Sequence, residues 1–545
     1  MFRRVCSVCS VCSVCAVALL AVAVAAPVAA QNFSAARLSE GVRIIADDSF
    51  EGRYPGTPGE RLTLAWLQAQ YERLGLEPGG PDGQWLQPVD LRRYTPVRDF
   101  SATWAGPGGT GGALVKSESL NLRSAANDGR AEITGAELVF AGYGIVASER
   151  GWDDYKDVDV RGKIVVVLPG EPDGALFNGE YPTLYDAGWW KVREAAARGA
   201  IGVIMLQPQL AEARFADAQR TFQPGGPDLE LTANLHREAA ASLFAAAGLD
   251  LEVLTAAAAG GGDFRATPLT GVTLSASAEE AVNVLRTYNL LARIPGTQRP
   301  DETIIFSAHW DHVGIDNHGR QTVPEGEDRI WNGAWDNATG TVGLVEMARE
   351  LKAAGPAERS FIFAHMAAEE MGLLGAWAYV ADPVYPVETT VADLNIDMLP
   401  LSPPTRDLPI FGFGQNELED DLARLAEAEG RYVTDDGQPE EGFFYRSDHL
   451  PFAVAGVPTL MPWHGTDLDE GGKVVGEPAY RVMWEERYHQ AADEWSEDLD
   501  FSSAVETLTL MYRLARDLAN SDRWPGWKPN SEFGAIRART TSARQ

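Results

Sequence analysis

The chain has 545 residues and carries 78 Asp and Glu against 46 Lys and Arg, a formal charge of −32 at neutral pH. Such an acidic surface excludes nucleic acid as a natural partner, because a polyanion would be repelled, and it suits a solubility role in an exported protein. The length exceeds what one hydrophobic core usually holds and points to two domains.

At the amino end, Arg3 and Arg4 precede an acid-free run of Val, Ala, Leu, Ser and Cys that closes at Val28-Ala29-Ala30 before Gln31. This is a signal-peptide pattern over residues 1–30, so the mature chain is expected in the periplasm or the medium, with no membrane span of its own. An uncleaved anchor is the alternative, against which the Cys-Ser interruptions and the small residues before Gln31 argue. All four cysteines, Cys6, Cys9, Cys12 and Cys15, lie in this leader. A metal in the mature chain must therefore rest on His, Asp or Glu.

From Ser34 to Leu74 the apolar spacing predicts helix, interrupted by the turn-rich Glu51–Gly59. Between about 100 and 275 short β-type runs with glycine turns take over, such as Glu137–Ile145 and Lys163–Leu168. A helix follows over Lys191–Arg198, then a buried strand over Ile201–Leu206, and Gly260-Gly261-Gly262 marks the exit. Beyond it strands and helices alternate in α/β fashion. Strands are expected at Thr303–Ala308, Ser360–Ala364, Ala392–Ile396 and Val457–Met461, and helices at Thr339–Ala354, Leu373–Val380 and Phe501–Ala519.

The chemistry gathers at the ends of these predicted strands. Ser307-Ala-His-Trp-Asp-His312 follows the first of them directly, and strand periodicity puts His309 and Asp311 on one side. Alone, a His-x-Asp at a strand end is more often structural. Asp336 stands just before a helix, as an N-cap or as a carboxylate bridging two cations. Glu369 and Glu370 end another apolar strand, in a solvated turn or in coordination. Asp397 ends a third, and Arg487-Tyr-His-Gln490 adds His489. In combination these positions, in the order His, Asp, Glu-Glu, Asp, His, lie where a parallel sheet opens, and nitrogen and oxygen donors without sulfur suit a catalytic zinc pair. Asp311, Asp336, Glu369, Glu370 and Asp397 would crowd five negative charges into one cleft, which two Zn²⁺ would largely neutralise. The slightly negative remainder suits a substrate's terminal ammonium.

The motifs Ser-Ala-His-Trp-Asp-His, Asn-Gly-Ala-x-Asp-Asn-Ala, Glu-Glu-x-Gly-Leu-Leu-Gly, Asn-Ile-Asp-Met, Arg-Ser-Asp-His-Leu-Pro-Phe and Tyr-His-Gln together resemble metallopeptidase family twenty-eight, the secreted di-zinc aminopeptidases. The stretch with Gly142-Tyr-Gly144, Asp153-Asp-Tyr155, Asp159-Val-Arg-Gly-Lys163 and Ala195-Ala-Ala-Arg-Gly-Ala200 resembles an inserted protease-associated (PA) domain. The resemblance implies an α/β fold with a mixed, mainly parallel central sheet flanked by helices and a mainly-β insert. Its expected boundaries are a signal peptide at 1–30, catalytic parts at 31–108 and 273–545, and the PA domain at 109–272. It further implies one zinc on His309 and Asp397, a second on Glu370 and His489, and Asp336 bridging both. Glu369 would be the general base, Asp311 would orient His309, and Tyr488 would help hold the oxyanion. A cis peptide is implied after Asp336.

The function so implied is removal of residues from the amino end of peptide substrates. A glutamate-carboxypeptidase-like exopeptidase, a single-zinc glutaminyl cyclase and a non-catalytic binding protein are the alternatives. Phe443, Phe444, Tyr445 and Arg446 are expected to line the pocket for the first side chain or to pack in the core. His312 and His449 are placed near the cleft, Trp310 and Trp335 are candidates for cleft contacts, and His236, His318, His365 and His464 read as structural or surface residues.

Overall fold

A computed structural model describes residues 32–177, 182–210, 220–222, 229–260, 264–319, 323–529 and 531–539. The expected signal peptide and Gly261-Gly262 lie outside them. Helices α1 (Ala35–Ile45) and α2 (Pro58–Leu74) open the chain. The Ser34 side chain accepts from the Arg37 N–H at the start of α1, and Pro58 begins α2, where its missing N–H costs nothing. Gly75 ends α2 at φ 69°, a left-handed cap.

The middle stretch contributes β1 (Leu86–Pro96), β2 (Leu120–Ser124), β3 (Arg130–Phe140), β4 (Ile164–Val167), α3 (Gly188–Ala197), β5 (Gly202–Gln207), β6 (Leu231–His236), α4 (Arg237–Ala246) and α5 (Leu251–Ala259). β3, β4, β5 and β6 pair parallel in that order, with β2 antiparallel at the edge. The strand expected over Glu137–Ile145 stops at Phe140, because Gly142 and Gly144 turn the chain at φ 56° and 68°. The three helices also make this stretch less purely β than expected: parallel strands need both faces covered, and β4 sends Ile164 and Val166 into one core and Val165 and Val167 into another.

β7 (Thr267–Ile294) then runs for 28 residues. It pairs antiparallel with β3 at its start, with β1 along its second half and with β9 (Arg359–Met366) at its end, so one strand belongs to both halves of a 15-stranded sheet. β8 (Arg299–His309) lies parallel to β9 and to β10 (Thr390–Asn395), and β11 (Thr459–Leu460) completes that edge. The central sheet is thus mixed and mainly parallel on this side, as expected.

These strands are nearly unbroken apolar runs because both faces are buried. Ile304, Phe306, Phe361 and Phe363 face the core beneath α1, α2, α6 (Thr339–Ala353) and α9 (Ser502–Ala519). Ile305, Ile362, Ala364 and Met366 face the opposite core with Tyr379 of α7 (Leu374–Ala381). Helix α8 (Gly472–Arg487) leads up to the sheet's open end. Among the described residues no single helix is long and apolar enough to cross a membrane.

Candidate metal centre

Five separate chain segments bring their polar residues to the carboxyl ends of β8, β9 and β10. His309 is the last residue of β8, Glu369 and Glu370 follow β9, Asp397 follows β10, Asp336 sits in the turn before α6, and His489 comes just after α8. Asp336 stands between the two imidazoles. Its Oδ1 lies 3.3 Å from His309 Nε2 and its Oδ2 lies 3.2 Å from His489 Nε2. His309 Nε2 is 3.1 Å from Asp397 Oδ1, and His489 Nε2 is 3.3 Å from Glu370 Oε2.

These spacings fit zinc. Donors bound tetrahedrally at 2.0–2.1 Å stand about 3.3 Å apart, and the sets His309, Asp336, Asp397 and His312, Asp336, Glu370 each offer three ligand atoms mutually within 4.8 Å. His312, left out of the expected ligands, lies with Nδ1 2.7 Å from Glu370 Oε1. It competes with His489 for that side of Asp336. Asp311 Oδ2 and both oxygens of Asp448 are buried without a hydrogen-bond partner among the described residues, and burial raises both carboxyls, that of Asp311 to about 7. The peptide between Asp336 and Asn337 is cis, as the resemblance implied.

The field is that of an acid cluster. Burial alone would lower the His309 imidazole, but the charges of Asp397 and Glu369 and its bonds to Asp336 and Asp397 raise it well above its usual value. The same opposition lifts His489 to about 9. Asp336 is held well below the usual carboxylate range, its two histidine contacts outweighing burial. Glu369 is pushed well up, first by burial and then by its acidic neighbours Asp397, Glu370 and Asp448. The same acidic field would favour a divalent cation, whose binding would displace those protons from the imidazoles.

The remaining expected residues take more varied places. Asp311 reaches His309 Nδ1 with its main-chain carbonyl at 3.1 Å, while its carboxylate is 4.0 Å away and accepts the Glu369 N–H at 3.2 Å. Tyr488 stacks on His489 with ring centroids 4.0 Å apart and on Trp484 at 4.1 Å. Phe443, Tyr445 and Arg446 line the cleft, whereas Phe444 turns inward against His449 and Phe533. Trp310 and Trp335 are fully buried, their indole N–H groups spent on the carbonyls of Tyr288 and Leu399, so neither touches the cleft. His449 is buried beside Asn395. His365 and His464 are structural, bonded to the Tyr71 hydroxyl and the Met398 carbonyl, and the His318 side chain lies outside the described residues.

Several contributors escaped sequence reading. Ser447 donates to Asp397 Oδ2 at 2.6 Å, and Thr341 to the His309 carbonyl at 2.7 Å. Asp493 accepts the N–H groups of Trp335 and Asp336. Arg53 is buried close by; burial lowers its guanidinium to about 10, which leaves it a cation at neutral pH. Ser447 sits inside a motif quoted above, whereas Asp493 lies three residues beyond Tyr-His-Gln and Arg53 sits in what reads only as a turn.

The cluster forms the floor of a cleft of about 1400 Å³. Its other wall comes from the middle stretch, with Asn121, Arg123, Trp189, Arg193 and Asn234. Trp189 meets Trp377 of α7 edge-on at 5.1 Å across that wall.

Residues 289–514 match the model of Peptidase family M28. The Aminopeptidase YwaD of Bacillus subtilis (strain 168) is 27% identical over 164 residues, 30% of this chain and 32% of that protein. The Probable lipoprotein aminopeptidase LpqL of Mycobacterium tuberculosis is 25% identical over 241 residues, 41% of this chain and 43% of that one. The chain thus spans less than half the length of these relatives. Among solved structures, an aminopeptidase from Aneurinibacillus sp. strain AM-1 aligns with TM-score 0.43 and 17% identity over 90% of this chain and 95% of its own. BSAP, a zinc aminopeptidase from Bacillus subtilis, aligns with TM-score 0.41 and 19% identity over 92% and 99%. The segment matched to Peptidase family M28 contains His309, Asp336, Glu369, Glu370, Asp397 and His489.

Proposed function

We propose that the chain is a zinc-dependent aminopeptidase with two zincs per chain. The observation that carries this reading is Asp336, whose two oxygens each face a different imidazole at 3.2–3.3 Å. That placement favours a shared carboxylate over a single-zinc centre. His309 and Asp397 would hold one ion and Glu370 with His489 the other. The match to Peptidase family M28 and the names of the two relatives point to the same activity.

Bound zinc would acidify a water and polarise the scissile carbonyl. Glu369 takes the proton as the water oxygen bonds to the carbonyl carbon; when the carbon–nitrogen bond breaks, the same carboxyl returns that proton to the leaving amine. Asp311 supports this by accepting the Glu369 N–H, and its carbonyl fixes the ring of His309. The Tyr488 hydroxyl donates to the oxyanion. Phe443 and Tyr445 beside the acid cluster fit an apolar first side chain behind a free ammonium.

The division into catalytic parts at 31–108 and 273–545 with a PA domain at 109–272 belongs to this proposal, as do peptide substrates and export behind a signal peptide. Zinc analysis together with aminoacyl reporter substrates, with free and blocked amines, tests the reading. Two zincs per chain and cleavage confined to free amines are expected. One zinc per chain, or equal cleavage of blocked substrates, would overturn it.

A further inference from the structure

Arg53 lies 257 residues upstream of Trp310, yet it is fully buried beneath the metal centre. Its partners are all main-chain carbonyls. Nε donates to Trp310 O at 3.0 Å, Nη1 to Ile45 O at 3.1 Å and to Asn332 O at 2.5 Å, and Nη2 to Gly333 O at 2.8 Å. Trp310 directly follows His309, and Asn332 and Gly333 open the turn that ends in Asp336.

The same turn is held from its other side by Asp493. Its carbonyl accepts the Ala334 N–H at 2.9 Å. Its carboxylate accepts the Trp335 N–H at 3.0 Å and the Asp336 N–H at 3.0 Å. Residues 332–336 are therefore gripped through two carbonyls by a cation and through three amides by one aspartate. The guanidinium fork is suited to this, since it presents several donors in a fixed plane and keeps its charge when buried.

The backbone that delivers Arg53 is itself unusual. Glu51, Gly52 and Arg53 have φ of 49°, 65° and 52°, three left-handed residues in succession. Two of them carry side chains, a conformation that persists only where the surroundings over-determine it. Gly52 shows how closely this turn is pressed: a Cβ there would meet Trp331 O at 2.4 Å and the Gly314 Cα at 2.8 Å.

We propose that Arg53 is a positioning residue of the metal centre, which sets zinc affinity by fixing the loops that carry His309 and Asp336 at ligand spacing. The inference rests on the metal-centre reading given above. Without the guanidinium, four buried carbonyls lose a charged donor, Gly333 O keeping only the Ala338 N–H at 3.2 Å, and the crowded carboxylates lose a nearby positive charge, so the Asp336 turn relaxes away from its neighbours. Counted with two zincs, Arg53 also offsets the one negative charge left over from Asp311, Asp336, Glu369, Glu370 and Asp397.

A merely structural arginine provides the control. Arg359 is equally buried and donates to the carbonyls of Leu518 and Arg523 at 2.8 Å each, but it begins β9, at the end of that strand away from the centre. The full chain, stripped of metal, is titrated with zinc against a chromophoric chelator, and its thermal midpoint is recorded. Arg53→Lys is expected to weaken zinc binding by about 10- to 100-fold, the usual effect of losing a residue that orients metal ligands. Arg359→Lys is expected to lower the thermal midpoint while leaving zinc affinity at the wild-type value.

Equal affinity in Arg53→Lys and wild type, or an equal loss in Arg359→Lys, overturns the positioning role. Should Arg53→Lys not yield folded protein, Asp493→Asn removes the opposite grip and carries the same expectation and the same refutation. Wild-type chain that takes up no zinc would instead strike the underlying metal-centre reading.

Discussion

The Ser447 hydroxyl donates to Asp397 Oδ2 at 2.6 Å, which leaves Oδ1 as the oxygen facing His309 at 3.1 Å. A carboxylate held by one oxygen presents the other in a fixed direction, and this is how hydrogen-bonded neighbours tune metal ligands. Ser447→Ala should therefore lower zinc affinity by about 10-fold or more with little change in the circular dichroism spectrum. Chelator competition checks it; unaltered affinity would show that Asp397 needs no such support.

Glu369 faces the cleft beside the ligands, and the carboxylate of Asp311 holds its main-chain N–H. Glu369→Gln keeps the shape and removes the proton acceptor. Turnover should fall by about 10²- to 10⁴-fold while zinc content stays at the wild-type value. A rate within a few-fold of wild type would remove Glu369 from the base role.

Asp393 in β10 gives a pH dependence separate from the ligands. Burial raises its carboxyl to about 8, with Ser307 donating to Oδ1 at 2.8 Å as a smaller opposing influence. Its folded value lies above the unfolded one of 3.8, so folding takes up a proton. The stabilisation is complete below about pH 4 and is lost as pH rises through about 8, amounting to several kcal/mol across that window. Asp393→Asn mimics the protonated acid and should flatten the decline in denaturation midpoint between pH 5 and 8. Parallel slopes in the two proteins would contradict this origin.

Trp189 of α3 meets Trp377 of α7 across the cleft wall. Trp189→Ala should loosen that wall and raise KM several-fold, leaving zinc stoichiometry intact. Steady-state kinetics on peptides of two to five residues would measure it, and an unchanged KM throughout would show the contact to be idle.

The candidate ligands at strand ends were legible because they follow directly on apolar strands, where residue type and position carry the message together. His309 after β8 and Glu369-Glu370 after β9 are of this kind; Asp336 before α6 and His489 after α8 stood out only in their company. Arg53 and Asp493 were not legible, since they act on main-chain carbonyls and amides that no residue type announces. β7 escaped for another reason: Glu279, Arg286 and other outward residues break up its apolar pattern, and its pairing partners lie far away in sequence. His312, three residues past His309, could not be separated from an ordinary cleft residue until its distance to Glu370 was known. Trp310 and Trp335 drew notice by neighbouring His309 and Asp336, but large apolar side chains next to ligands anchor strand ends from within.

β7 passes without interruption from the strands of the middle stretch to those beneath the metal centre. A flexible tether would let the two parts swing freely, but a continuous ribbon permits only bending and twist along its length. Excising residues 109–272 as an exchangeable cassette would accordingly cut through a shared girder and leave the stub of β7 with unpaired edges, so any functional transplant must carry the whole strand with it.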